Sequence, residues 1–317
     1  MNNEVFSLHL LPENVRLQVI KNFDHLHLIF FSLISRKSKV LVQSFNLKIE
    51  NLTVCVYDSL KIFIQPTVDG FGIKFSIHRR EVRELKSLDN ASNYMLVEAQ
   101  HVTLELQNPR LSFNQWFQHL RSLFNCETNQ INFITGHENY DPVAFRNLLL
   151  QWRSLKIGRG SHDYVRRILE AFCSCVKVIE AWSDINLQEL PQNVSIQNLD
   201  SITIGKAFTL DDALASNAVY ISPSDFTVTD VNRFLKSWIR GSNPRMRSAY
   251  VRIIGPPNRE KLLKGITHRA TPVAMDHQWD EHGRIKEGLT IRSKKGIQAT
   301  LISDRNIHWT IEMYVGN

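Results

Sequence analysis

The chain has 317 residues, of which 43% are hydrophobic and 22% are charged, and its formal net charge at pH 7 is +7. The length predicts two domains, or one domain with a small appended module, and the composition is typical of a folded protein and excludes an intrinsically disordered chain. No apolar run reaches the length of about 18 residues that a membrane-spanning helix needs. The start "MNNEVFSLHLLPENV" lacks the regions of a secretory signal, and four scattered cysteines do not form a disulfide framework. We therefore expect reduced thiols and a cytoplasmic and/or nuclear location, with no membrane partner.

Residues 11 to 45 predict three short helices. Pro12 suits a helix start, Asp24 can cap a second helix, and Ser35 can open a third. The second helix, "LHLIFFSLI", carries apolar side chains around its whole circumference, so it must be buried on all sides. A unit of about 35 residues is too small to surround it. Either the rest of this chain or another protein must cover the helix.

The third helix carries the basic cluster of this region. Projected at about 100° per residue, it shows an apolar seam formed by Ile34, Ser38, Leu41 and Phe45. Arg36 and Lys39 fall on the opposite face, which predicts a solvated side. The alternative is a DNA-binding helix-turn-helix, in which Arg36, Lys39 and Gln43 would face base edges. An entirely apolar second helix has no role on a phosphate backbone, so nucleic acid is the less favoured partner.

The rest of the chain changes from strands to alternating helices and strands, and back to strands. Residues 52 to 78 predict antiparallel strands, and residues 81 to 100 a loop or short helix. Ser154, Ser201 and Ser248 begin similar apolar strands and stand 47 residues apart. That period favours a solenoid of parallel strands similar to an irregular leucine-rich repeat, with an ordinary α/β layer as the alternative. Residues 289 to 315 alternate strictly and predict C-terminal β-hairpins.

Motifs for catalysis are weak in this sequence. It has no G-x-S-x-G elbow, no Walker loop and no dinucleotide fingerprint, so no cofactor is expected. "GRGSH" lacks the end of a phosphate loop and predicts a strand-to-helix turn with Ser161 as the N-cap. The segment "DHQWDEH", residues 276 to 282, could gather around a metal, and a hydrolase or metalloenzyme remains a third interpretation. Such a cluster before a hairpin is more often a loop, so we expect no enzyme and no metal.

The N-terminal helices carry a family resemblance. The stretch "LPENVRLQVIKNFDHLHLIFFSLISRKSKVLVQS" resembles an F-box, with L-P-x-x-V from Leu11 and an S-L-x-S step from Ser32. From about residue 110 onward, the chain is similar to the F-box-associated region of the nematode-expanded F-box family. The segment "NLDSITI…DVNRFLKSWIRGSNPRM" carries that similarity.

The resemblance implies a non-catalytic substrate-recognition subunit of a Skp–cullin–F-box ubiquitin ligase. Its partners would be a Skp-type adaptor, through it a cullin, and an unknown target protein. The implied fold is α+β: a three-helix F-box, then an irregular α/β leucine-rich-repeat-like region flanked by antiparallel β-strands. The domains would be the F-box at 5–48, an antiparallel β segment and connection at 49–107, and the substrate-recognition region at 108–317.

The resemblance also implies where each partner would bind. The residues at or beside the adaptor interface would be Leu11, Pro12, Val15, Ile20, Leu28, Leu33 and Leu41. Some of these must instead hold the three helices together, and the sequence leaves that division open. Candidate target contacts are the exposed strand positions Lys156, Thr203 and Arg252.

Overall fold

The structure is a computed structural model, in which the chain forms two compact units. The described residues are 10–66, 72–78, 88–89, 94–99, 102–107, 111–134, 137–149, 152–181, 199–204, 210–215, 218, 220–223, 226–256, 258–272, 287–305 and 309–316. Unit 1 comprises residues 1–55 and 59–129, and unit 2 comprises residues 56–58 and 130–317. None of the helices in these segments is long and apolar enough to cross a membrane.

Unit 1 begins with the three predicted helices. They are α1 (Glu13–Lys21), α2 (His25–Ile34) and α3 (Arg36–Ser44). The Asp24 carboxylate accepts the His27 N–H at 2.8 Å, and the Ser35 hydroxyl accepts the Ser38 N–H at 3.1 Å. Both N-caps are therefore where the sequence predicted them, because each side chain satisfies a backbone donor that the first helical turn leaves unpaired.

A sheet and one further helix complete unit 1. The elements are β1 (Leu47–Val56), β2 (Leu60–Gln65), β3 (Ile73–His78), β4 (Tyr94–Ala99), β5 (Val102–Gln107), α4 (Phe113–Leu123) and β6 (Phe124–Phe133). The strand order is β6-β1-β2-β3-β4-β5, with β2 to β5 antiparallel. Ser112 and Gln115 form the predicted capping box at the start of α4. Trp116 on α4 stacks on Phe75 of β3, with ring centroids 5.8 Å apart, in the core of the unit.

The β4–β5 hairpin was not predicted from the sequence. A strand is recognised by alternating apolar residues only where one of its faces is buried. On β5 both faces are open: Val102 and Leu104 are exposed on one face and Thr103 and Glu105 on the other. The predicted turn at Asp69-Gly70 lies outside the described residues.

Unit 2 contains most of the alternating helices and strands. They are α5 (Pro142–Arg146), β7 (Ser154–Ile157), α6 (His162–Phe172), β8 (Val178–Ala181), β9 (Ser201–Ile204), α7 (Leu210–Ala215), β10 (Tyr220–Pro223), α8 (Val228–Arg240), β11 (Ser248–Ile253), α9 (Arg259–Leu263), β12 (His268–Pro272), β13 (Glu287–Arg292), β14 (Gln298–Arg305) and β15 (Trp309–Val315). From the Gln130 end of β6 to β11 the strands are parallel, and β15, β14, β13 and β12 follow as antiparallel neighbours. The predicted α+β class is confirmed.

The parallel strands pair in order along the chain, with two strands to each predicted period of 47 residues. Ser154 pairs with Val178, and Val178 pairs with Ser201, so 24 and then 23 residues separate consecutive register positions. Tyr220 pairs with both Ser201 and Ser248, which gives spacings of 19 and 28 residues. The period of 47 therefore spans two strands. The sequence missed β10 because the unequal third and fourth spacings hide the shorter repeat.

"GRGSH" forms the expected strand-to-helix turn. Ser161 occupies the N-cap position of α6, although its side chain makes no capping hydrogen bond. Gly158 donates its N–H to the Phe133 carbonyl at 2.6 Å, and a Cβ atom at this position would collide with the Ile134 carbonyl. The glycine is required by this close approach of two backbones.

Candidate functional site

The three N-terminal helices expose an unusual number of apolar side chains. Of the eleven large apolar side chains exposed in the described part of the chain, five lie on or beside these helices: Leu10, Val15, Leu33, Ile34 and Val40. Single exposed apolar residues are common on protein surfaces, but this concentration within about 30 residues is not. The helices therefore present candidate contacts for another protein.

The seven residues that the sequence suggested for the adaptor interface differ in their exposure to solvent. Pro12, Val15 and Leu33 are exposed, and Leu11 and Leu41 are half-buried. Ile20 and Leu28 are 0% and 4% exposed, so these two lie within the core of unit 1. The side chains available at the surface are thus a subset of the predicted set.

The apolar seam predicted for the third helix is wrong at its first residue. Ile34 is 69% exposed, whereas Ser38 and Val42 are fully buried. The projection assumed one continuous helix from Ile34. Ser35 has extended backbone (φ −159°, ψ 163°) and separates α2 from α3, so the angular phase of one helix does not carry into the next. Ile34 is consequently a surface residue that the sequence assigned to the interior.

Helix α4 supplies the polar contacts that hold these helices in unit 1. The Gln43 amide donates to the Ser122 carbonyl at 2.8 Å, and Ser32 Oγ lies 2.8 Å from His119 Nε2. Ser32 has one hydroxyl proton, which it donates to the Ile29 carbonyl. His119 Nε2 must therefore carry the proton and donate to Ser32. Burial, together with the nearby Lys39 charge, lowers the pKa of His119 to about 4, so the ring is neutral at pH 7.

These contacts argue against the DNA-binding helix-turn-helix that was the alternative for the third helix. Of the three side chains that would read bases, Gln43 is already bonded to α4 and Lys39 is half-buried near His119. Arg36 remains exposed, as predicted for the solvated side. A recognition helix needs such side chains free to enter a groove, so the geometry argues against this alternative.

The candidate target contacts share one face of the unit 2 sheet, which we call the outer face. It carries Lys156, Thr203 and Arg252, while neighbouring positions such as Leu155 and Ile202 point into the core. Lys156 pairs with Glu180 and Glu180 with Thr203, so two strand spacings of about 5 Å separate Lys156 from Thr203. All three residues are half-buried rather than exposed. Lys156 also forms an ion pair with Glu180 at 2.8 Å.

Two tyrosines on the outer face were not singled out from the sequence. Tyr250 and Tyr314 are 46% and 47% exposed, on the adjacent strands β11 and β15. The Tyr314 hydroxyl donates to Glu312 at 2.9 Å, and burial and that carboxylate raise the pKa of Tyr314 to about 12. The alternation of residues 307 to 315 already placed Tyr314 opposite the buried Met313, and this was the available signal.

The third interpretation, a metal held by residues 276 to 282, falls on a segment outside the described residues. Within the described residues, no group of three or more His, Cys, Asp or Glu side chains could hold a metal ion.

Comparisons with known proteins match two segments of the chain. A family model described as "F-box domain" matches residues 8–50, and one described as "F-box associated" matches residues 190–251. The chain is 24% identical over 251 residues to the "F-box associated domain-containing protein sdz-33" of Caenorhabditis elegans, covering 78% of each protein. No solved structure matches the chain. These matches support the resemblance to the nematode F-box family, since the chain combines an F-box segment with an F-box-associated segment.

Proposed function

We propose that this protein is the substrate-recognition subunit of a Skp–cullin–F-box ubiquitin ligase. The F-box helices, residues 5–48, would bind a Skp-type adaptor and through it a cullin. Residues 108–317, an irregular leucine-rich-repeat-like region, would hold a target protein, and residues 49–107 would connect the two. The protein would perform no bond chemistry, but would raise the local concentration of the target near the conjugating enzyme. Such a complex would work in the cytoplasm and/or the nucleus.

The observation that supports adaptor binding is the set of exposed apolar side chains on the F-box helices. A monomer gains nothing by exposing Leu33 and Ile34 side by side at the end of α2, whereas burial against a partner would remove their apolar surface from water. We assign the adaptor contact to Pro12, Val15, Leu33 and Ile34, with Leu11 and Leu41 beside them. Ile20 and Leu28 would act indirectly, by holding the helices in place.

A double substitution of surface residues tests the adaptor proposal more cleanly than a deletion. Removing residues 1–48 would also remove Ile20, Leu28 and Val42 from the core of unit 1. Leu33→Ser with Ile34→Ser changes only exposed positions, and we expect it to weaken binding of the purified Skp-type adaptor by about tenfold or more. The matched control is Val102→Ser with Leu104→Ser, which removes two exposed apolar side chains of the same unit outside the F-box.

Isothermal titration calorimetry measures the affinity of each variant for the adaptor. Thermal melting shows whether each variant is folded. If the well-folded full chain does not bind the adaptor at micromolar concentration, the proposal fails. Equal weakening by the control pair would mean that adaptor binding is not located on the F-box helices.

A further inference from the structure

Strand β5 lies at the edge of the unit 1 sheet. In the strand order of the described residues it is the last strand of that sheet, and it pairs only with β4. Two of its apolar side chains, Val102 and Leu104, are 46% and 38% exposed. An edge strand also presents backbone N–H and C=O groups that another extended chain can pair with. Strand β5 therefore offers both apolar surface and backbone hydrogen bonds to a partner.

The exposed apolar residues of β5 continue the core of unit 1. In the strand register Phe75 pairs with Val97, and Val97 pairs with Leu104, so the three side chains share one face of the sheet. Phe75 and Val97 are 0% exposed, and Trp116 of α4 stacks on Phe75. Leu104, on the next strand, remains open to solvent. The core face of the sheet thus extends one strand beyond the residues that are buried in unit 1.

The last strand of unit 2 has features that block strand pairing, whereas β5 lacks them. Strand β12, "HRATP", carries the cation Arg269 and ends in Pro272. Charged residues and proline on an edge strand discourage pairing with another chain. Strand β5, "VTLELQ", contains no lysine, arginine or proline. Its composition favours pairing with a further strand.

The sequence of β5 is complementary to itself in an antiparallel pair. When Leu104 is placed opposite Leu104 of a second copy, Val102 faces Leu106 and Thr103 faces Glu105. Apolar side chains then meet on the core face, and the one charged side chain of the strand meets a hydroxyl group. A shift of the centre to Glu105 would bring two carboxylates together, which is destabilising. Because every second residue of β5 directs its backbone groups away from β4, this pairing also matches outward groups with outward groups.

From these observations we propose that the protein forms a homodimer, in which the β5 strands of two copies pair antiparallel about Leu104. The two unit 1 sheets join into one continuous sheet, and the backbone groups at both edges gain hydrogen-bond partners. Val102, Leu104 and Leu106 of each copy lose contact with water. The same surface is used by both copies, so the contact is closed and assembly stops at two chains.

Sedimentation velocity of the full chain, at concentrations from about 1 to 100 µM, measures this self-association. We expect the sedimenting species to approach twice the mass of one chain as the concentration rises. Leu104→Lys and Leu104→Glu should each weaken self-association by about tenfold or more, because like charges would face each other at the centre of the pair. Val143→Lys is the matched control, since Val143 is an exposed apolar residue of unit 2 outside the proposed contact.

An equimolar mixture of the two charged variants separates a lost contact from a misfolded chain. In a mixed dimer the lysine of one copy faces the glutamate of the other, so the mixture should dimerise although neither variant does so alone. Thermal melting of each variant shows whether it is folded.

A cysteine at the centre of the pair tests the register. Directly opposite residues of an antiparallel pair have Cα atoms about 4.5–5.5 Å apart, which is within the range of a disulfide. Leu104→Cys should therefore cross-link two copies when an oxidant is added. Val102→Cys should not, since Val102 faces Leu106, and the two Val102 positions lie about 13 Å apart along the strands. This variant also controls for the native cysteines.

A full chain that stays monomeric over the whole concentration range would overturn the proposal and leave the β5 edge to another protein. An undiminished dimer in Leu104→Lys, or equal weakening by Val143→Lys, would place the contact elsewhere and overturn it as well. Absence of a dimer in the mixture of folded charged variants would refute the pairing of Leu104 with itself, as would equal cross-linking by the two cysteine variants.

Discussion

At the scale of single residues, the contact between Ser32 and His119 shows how the F-box is joined to the rest of unit 1. The two residues are 87 positions apart in the chain, and their side chains meet at 2.8 Å. His119 is neutral because the imidazolium form would be poorly solvated and close to Lys39. His25 of α2, whose ring lies 6.0 Å from that of Phe124, also has a pKa lowered chiefly by burial.

The first prediction concerns the stability of unit 1 in acid. The folded-state pKa of His119 is about 4 and the unfolded value is 6.5, so the unfolded chain binds the proton first as pH falls. Stability should be fully retained above pH 6.5 and decrease down to about pH 4. We expect this residue to account for about 1–2 kcal/mol of that loss, after allowing for its partial exposure.

Urea unfolding at a series of pH values measures this effect. His119→Gln keeps an amide donor for Ser32 and should flatten the pH dependence between 6.5 and 4, with His25 supplying the remainder. His162→Gln is the control, since His162 is an exposed residue of unit 2. An unchanged pH profile in His119→Gln would refute the assignment.

At the scale of elements, α2 is a helix whose apolar side chains have two different roles. Leu28 is 4% exposed and packs in the core, whereas Leu33 is 37% exposed. The sequence predicted burial on all sides, and the chain itself provides it for only part of the circumference. The unburied part, at the C-terminal end of α2, is the surface that we assign to the adaptor.

The second prediction separates these two roles by alanine substitution of the leucines. Leu28→Ala should lower the free energy of unfolding by about 2–5 kcal/mol, because it removes buried methyl groups and leaves a cavity. Leu33→Ala should lower it by less than about 1 kcal/mol, since its side chain is already partly in water. Chemical denaturation of the isolated protein measures both values. Comparable losses would show that Leu33 is a core residue, in conflict with its exposure.

At the scale of the whole molecule, two units carry the two proposed binding surfaces. The F-box helices belong to unit 1, and the outer face with Lys156, Thr203 and Arg252 belongs to unit 2. Parallel strands in register suit a recognition surface, because the backbone fixes the spacing of side chains along each cross-strand row.

The third prediction is that the two binding functions can be lost independently. Replacing Lys156, Thr203 and Arg252 together with alanine should reduce recovery of target proteins in affinity purification while leaving adaptor binding unchanged. Each substitution should cost less than about 1 kcal/mol of stability, because the side chains are only half-buried and the Lys156–Glu180 ion pair is near the surface. The Leu33→Ser, Ile34→Ser variant should give the converse result. Loss of both partners in the alanine variant would indicate general misfolding, which thermal melting detects.

Local patterns were sufficient for much of the fold. The helix caps at Asp24, Ser35 and Ser112 depend on neighbours within three residues, so the sequence predicted them directly. The parallel strands could be recognised because their buried face repeats at Leu155, Ile202 and similar positions. Strand β5 lacks such a face, since Val102 to Glu105 are all exposed, and the sequence did not indicate the β4–β5 hairpin.

By itself, the sequence determined the F-box resemblance, the α+β class and the presence of a repeated strand. Each of these depends on residue types at short spacings, which local backbone geometry governs. Only the tertiary structure decided that Ile20 and Leu28 are core residues while Leu33 and Ile34 are surface residues. Only it brought Phe75, Val97 and Leu104 into one row across the sheet of unit 1. The reason is that burial and cross-strand proximity are set by contacts between distant parts of the chain, such as that between Ser32 and His119.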